Sequence, residues 1–285
     1  MCQGTATEGP VHELLYGREV VIGTRDGTAV TRTLPNKERR MIGAWCFVDA
    51  YGPTDITGTP GMRVAPHPHA GLQTVSWLVA GEVLHRDSLG HVQLIRPGQL
   101  NLMTSGVGIS HAEESPTDRS PTLHGVQLWV ALPSAATNVD PHFEHHADLP
   151  TLTEGGFTLT VVMGQLNGLT SAAKTYTPLV GAELSADAEA SLMLALRPDF
   201  EYGLLVLDGS VQADQVPVEK GPLLYLGSGR TELEVRADRK CRLLLLGGLP
   251  FAEQIVMWWN FVGRSHEDIV AMREEWQEGN RFGEV

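Results

Sequence analysis

The stretch from Leu72 to Ser115 constrains the fold most. It reads as short segments, QTVSWLV, VLHRDS, VQLI, QLNLMTS and SHAEES, separated by turns at Ala80-Gly81, Leu89-Gly90, Pro97-Gly98 and Gly106-Val107-Gly108. Segments this short, bounded by glycine turns, have the spacing of antiparallel strands in a sandwich or barrel. A content of 31 Gly and 17 Pro in 285 residues suits such a turn-rich chain and disfavours a helical one.

The flanking sequence extends the pattern. Residues 18–35 place β-branched residues around an Asp26-Gly27 turn, a hairpin signature. Residues 39–48 read as a buried strand, and residues 123–132 as another that Pro133 interrupts. Residues 133–152 carry His142, His145 and His146 among Pro and Asp without a period, which reads as a solvated linker or crossing loop.

The second half then repeats the first. Leu205 to Val211 resembles Trp77 to Val83, and Val218 to Leu224 resembles Ile95 to Asn101, so two copies of one β fold are expected. The expected division is 1–135, a connection over 136–152, and 153–285. The chain should close on a helix with Ser265 as N-cap, Asp268 at N3, Gly279 as the stop, and Ile269, Met272 and Trp276 facing inward. Trp258, Trp259 and Trp276 are read as packing anchors.

The chemistry is concentrated in the first copy. Alternate residues of a strand share a face, so His67 and His69 point together, as do His111 and Glu113. On neighbouring strands they supply three imidazoles and one carboxylate, a set that suits Zn, Fe, Mn, Ni or Cu and not the oxygen-seeking Ca or Mg. No histidine lies between His146 and His266, so the second copy cannot repeat this site. His85, His91 and His124 fall outside the paired pattern and are read as ordinary polar residues.

Charge and cysteine usage narrow the partners. A net charge of −13 without a basic run opposes direct nucleic-acid binding. Cys2, Cys46 and Cys241 are scattered and odd in number, which reads as free thiols in a reducing compartment. The first residues lack a signal-peptide pattern and no long apolar run occurs, so no membrane association and a cytoplasmic location are expected.

Three motifs together resemble the pirin family of the cupin superfamily: Pro66-His-Pro-His-Ala-Gly-Leu-Gln-Thr-Val, the Gly81-Glu-Val-Leu-His-Arg-Asp-Ser-Leu-Gly run, and Met103-Thr-Ser-Gly-Val-Gly-Ile-Ser-His-Ala-Glu113. The Trp-Trp-Asn-Phe-Val-Gly-Arg-Ser tail is similar to that of longer bacterial pirin-like proteins. The resemblance implies an all-β chain of two tandem jelly-roll cupin barrels, with Fe(II) held by His67, His69, His111 and Glu113 in the first.

Many cupins take their carboxylate four residues after the second histidine, where this chain has Gln73. Pirins use the later glutamate, here Glu113, with Glu114 the neighbour that strand alternation disfavours.

Two functions are implied. One is a quercetin 2,3-dioxygenase, acting on a small aromatic substrate, with Glu113 also taking the substrate's hydroxyl proton; by strand position Met103 and Trp77 are the candidates to line the ring site, with core packing the favoured role of each. The other is a regulator acting through a protein partner that reads the metal's state near residues 104–115. An open cleft at the metal favours the first, and a closed one the second.

Overall fold

The structure, a computed structural model, describes residues 9–23 and 27–285. Asp26 of the expected turn, and Cys2, lie outside the described residues. The strands flanking that turn, Arg18–Ile22 and Thr28–Leu34, do pair antiparallel, with Val20 opposite Val30.

Each half of the chain is a barrel made of one large and one small sheet. The first barrel's large sheet runs His142–His146, Leu100–Thr104, Leu72–Ala80, Thr122–Ala131, Trp45–Asp55, Thr28–Leu34, Arg18–Ile22. Its small sheet runs Arg63–His69, Ile109–Glu114, Val83–Asp87, Val92–Ile95. The second barrel repeats the small sheet strand for strand as Ala190–Ala195, Glu232–Ala237, Ser210–Ala213, Val216–Glu219. Two cupin domains in tandem are therefore present, as the repeat in the sequence implied.

Two segments cross between the barrels. Pro10–Leu15 precedes the first barrel but adds to the second barrel's large sheet, pairing with Leu223–Gly227. His142–His146 pairs with Leu100–Thr104 as an edge strand of the first barrel, so this part of the expected loop is ordered β structure. Its histidines are occupied on that edge: His145 Nδ1 lies 2.7 Å from Asn101 Oδ1, and His146 Nε2 3.1 Å from Glu144 Oε2.

The interiors of the two barrels differ. In the second, Leu192, Leu194, Leu204, Val206, Leu233, Val235, Leu243 and their neighbours form a continuous apolar core. Leu233 and Val235 fill the interior from the strand equivalent to Ile109–Glu114, which leaves apolar contact where the first copy carries ligands. Between the barrels, the outer faces of the large sheets meet, with Trp45, Val75, Trp77, Leu128 and Val130 against Val162, Leu205, Leu244 and Leu246.

The C-terminal segment returns to the first barrel. Val256–Trp258 and Phe261–Gly263 form a hairpin, and the helix His266–Glu278 follows. Ser265 and Asp268 form a reciprocal capping box, and the helix stops at Gly279 as its sequence signals predict. Ile269 is buried against Ala70, Phe261 and Phe282, with Met272 and Trp276 partly buried beside it.

Beyond the helix, the Phe282 carbonyl accepts the Ser110 N–H at 2.9 Å. A Cβ at Gly108 would stand 2.9 Å from the Phe282 ring, which explains a glycine beside the ligand strand. Among the described residues no helix is long and apolar enough to cross a membrane.

Candidate metal centre

The site begins with the pairing of Arg63–His69 and Ile109–Glu114, which sets His111 opposite His67 and Ile109 opposite His69. The three imidazoles converge, with ring centroids 4.4 to 5.0 Å apart. Nε2 of His69 and Nε2 of His111 stand 3.1 Å apart. Two nitrogens bound at right angles to one ion, each ~2.1 Å from it, would be separated by about 3 Å.

The far side of each ring is already engaged. His67 Nδ1–H donates to the Ala65 carbonyl at 2.8 Å and His69 Nδ1–H to the Asn260 carbonyl at 3.1 Å, which fixes the tautomer that leaves Nε2 free. Burial, reinforced by the neighbouring imidazoles, holds the pKa of His69 and of His111 well below the usual range. Both rings are then neutral, the form that binds a metal.

Glu113 lies one alternation beyond His111 and is 8% exposed. Ser76 Oγ sits 3.0 Å from Glu113 Oε1 and 2.8 Å from the Gln127 side-chain oxygen. A hydroxyl has one proton, so it satisfies the carboxylate while the Gln127 amide, turned about, donates to Ser76. Burial raises the Glu113 pKa, with the neighbouring His85 and the Ser76 bond acting the other way.

His85 is part of this centre, contrary to its reading as an ordinary polar residue. It forms a second trio with His111 and Glu113, within 4.8 Å of one another. Its Nε2–H donates to Asp87 Oδ2 at 3.0 Å, and its Nδ1 lies 3.3 Å from His111 Nδ1, positioned to accept that N–H. Phe143 stacks on the ring with centroids 4.4 Å apart. Burial acts to raise the Asp87 pKa, but hydrogen bonds from His85 and His91 outweigh it and leave it lowered. Asp87 thus anchors His85, and His85 orients His111.

Three further positions lie off the cleft. Gln73 Nε2 donates to Thr104 Oγ1 and to the Lys174 carbonyl, on the face turned to the second barrel, so position 73 points away from the imidazoles. Trp77 lies on that same face and donates to Glu183, since alternation turns it away from its neighbour Ser76. Met103 is 1% exposed and does not border the cleft. Neither lines a ring site.

The cleft over the histidines measures about 650 Å³ and is open to solvent. On one wall Phe47 and Trp129 stack with centroids 4.0 Å apart and planes at 12°. The Arg32 guanidinium carbon lies 4.4 Å from the Phe47 centroid, and Asp49 holds that guanidinium through two 2.7 Å bonds. Met257, Trp259 and Asn260 of the C-terminal hairpin border the same space.

His124 belongs elsewhere, in a small groove with Leu205, Leu207 and Lys220. Burial, with Lys220 adding to it, lowers its pKa from 6.5 to about 4. The unfolded chain therefore gains a proton near pH 6.5 that the folded chain refuses until about pH 4. Stability should fall by up to ~1.4 kcal/mol per pH unit as pH drops through that window. His124→Gln is expected to flatten this acid limb, read as urea midpoints at neutral and mildly acidic pH; an unchanged limb would show that folded His124 protonates freely.

Comparison with known proteins agrees with the fold. The family model described as Pirin matches residues 27–130, and that of the Pirin C-terminal cupin domain matches 181–283. A crystal structure of quercetin 2,3-dioxygenase from Acinetobacter baumannii superposes with a TM-score of 0.92 at 42% identity, covering 96% of this chain and 91% of that one.

A Pseudomonas aeruginosa relative, whose name provisionally assigns it quercetin 2,3-dioxygenase activity, is 48% identical over 91% of this chain and 82% of its own length. The pirin-like protein of Caulobacter vibrioides is 33% identical over 88% of each chain. The chain belongs to the pirin family of the cupin superfamily.

Proposed function

We propose that this chain is a metal-dependent dioxygenase of flavonol type, with Fe(II) held by His67, His69, His111 and Glu113. The observation that carries this reading is the open cleft of about 650 Å³ above the imidazoles, walled by flat side chains. Sites for small ligands fall in the range of ~300–1,000 Å³. The names of the Acinetobacter and Pseudomonas proteins support the same substrate class.

By donor chemistry the set fits the ion: His67, His69 and His111 present neutral imidazoles within 4.8 Å of one another, and Glu113, which groups with His111 and His85, is the carboxylate that would join them around a first-row divalent metal. Bound there, the metal would supply a Lewis acid for the flavonol 3-hydroxyl and redox access to O2. The protein's own residues do the rest. The Ala65 and Asn260 carbonyls and His85 aim the three rings. Phe47 and Trp129 offer an aromatic wall to a flat substrate.

Glu113 is the base in this reading. It would shift from its ligand role to do so: its burial favours the protonated form, and with Oε1 held by Ser76 the other carboxylate oxygen receives the flavonol's hydroxyl proton.

The test is turnover in air. Iron-loaded protein given quercetin should consume the flavonol absorbance and O2 and release carbon monoxide. No loss of quercetin under conditions where an established quercetinase works would remove the enzymatic reading and favour the metal-responsive regulator. Turnover that survived His69→Ala would not be chemistry of this centre.

A further inference from the structure

The C-terminal hairpin turns through only two residues, Trp259 and Asn260, because Trp258 pairs with Phe261. Tight turns of this kind require a positive φ at their first position, where glycine is at ease. Here that position holds Trp259, at φ +52°. A bulky residue keeps such a backbone only when its surroundings enforce it.

The surroundings do enforce it. The Asn260 carbonyl accepts the His69 Nδ1–H at 3.1 Å, and the Val262 N–H donates to the Ala70 carbonyl at 3.0 Å. The Trp259 ring meets Phe261 edge-on, with centroids 5.5 Å apart at 86°. Yet the side chain gains little burial from this, remaining 47% exposed. It borders the cleft above His67, His69 and His111 and also a neighbouring apolar groove with Trp258, Arg273 and Trp276.

We infer that Trp259 is the recognition residue for the part of an aromatic substrate that extends beyond the metal, so that the site takes flat, multi-ring oxygen chelators in preference to single-ring ones. This rests on the reading of the cleft as the site of a chelating aromatic. One two-residue turn fixes both ends of the arrangement: its second residue orients the metal-facing His69, and its first presents the indole. The distance from chelating atoms to distal ring is thereby built into the backbone. An indole left half in water, on a backbone that suits glycine, is accounted for by a ligand that covers it.

Trp259→Gly separates recognition from packing, because it gives the turn the residue its backbone prefers. The probes are 3-hydroxyflavone and maltol, which carry the same hydroxy-ketone head with and without the aryl system. Both are titrated into iron-loaded protein without oxygen. Trp259→Gly should weaken 3-hydroxyflavone about tenfold or more, as loss of an aromatic contact implies, and Trp259→Phe should recover most of it. Maltol affinity should stay near wild type in both, and the melting temperature of Trp259→Gly should hold or rise.

Unchanged 3-hydroxyflavone binding in Trp259→Gly would overturn the inference. So would a parallel loss of maltol, which would place the effect at His69 and the metal, or a marked fall in melting temperature, which would make the indole a packing element. Wild-type protein that bound the two probes equally would overturn it as well. If quercetin is not turned over while these affinities separate as stated, the dioxygenase reading fails and the role of Trp259 stands.

Discussion

His111→Ala is expected to cost more metal affinity than any single change outside the ligand set, because its imidazole is shared. Nε2 faces His69 Nε2 at 3.1 Å, while Nδ1 faces His85 Nδ1 at 3.3 Å. Deleting the ring removes one converging nitrogen and leaves His85 and Asp87 orienting nothing. Loss of an outer partner to a metal ligand typically lowers affinity by ~10–100-fold. His85→Ala and Asp87→Asn should fall in that range, and His111→Ala beyond it.

Competition against a chromophoric chelator measures all three variants on one scale. Wild-type iron content in His111→Ala would sink the assignment of this centre. An effect of His85→Ala as large as that of His111→Ala would make His85 a direct ligand, a role its place in the second trio also allows.

The contrast between His111 and His85 shows what the sequence could reveal. His67-x-His69 and His111-x-Glu113 were legible because strand alternation acts within three residues of chain. The capping box of Ser265 and Asp268 was legible for the same reason. His85 was not, because its role depends on the register that sets it opposite Glu113 and on Phe143 arriving from a segment that reads as a loop.

The face taken by Trp77 was hard to read for a different reason. The strand Leu72–Ala80 is buried for most of its length, since one face meets the first barrel's interior and the other meets the second barrel. Apolarity alone then fails to say which face sees the cleft. Ser76, the small polar residue beside it, carried the better signal: a hydroxyl within an apolar run needs a buried partner, and here it reaches Glu113. Trp259 was hidden because an aromatic-rich run reads as packing, and only the backbone shows that its tryptophan occupies a glycine position.

Trp45→Ala is the stability counterpart of His111→Ala, and it acts on the joint between the barrels. Trp45 starts a strand of the first barrel and is 0% exposed, packed in the core shared with Leu205, Leu244 and Leu246 of the second. Its Nε1–H lies 3.1 Å from the Val180 carbonyl and 3.2 Å from the Gly247 carbonyl, both in the second barrel. The ring sits against Gly181, where a Cβ would come within 2.9 Å of it.

Truncation should cost ~3–5 kcal/mol, combining lost burial with the cavity left behind. Gly181→Ala should also destabilise, by forcing the same ring from its place. Without the ring, Gly181→Ala should become nearly harmless, so the double variant should be less destabilised than the two single changes together imply. Urea unfolding of the four proteins measures this coupling, and metal titration of folded Trp45→Ala should show an intact site. A Trp45→Ala loss below ~1 kcal/mol would place it with surface substitutions and show that the barrels hold together without this contact. Additive losses would show instead that Gly181 is small for some reason other than the tryptophan above it.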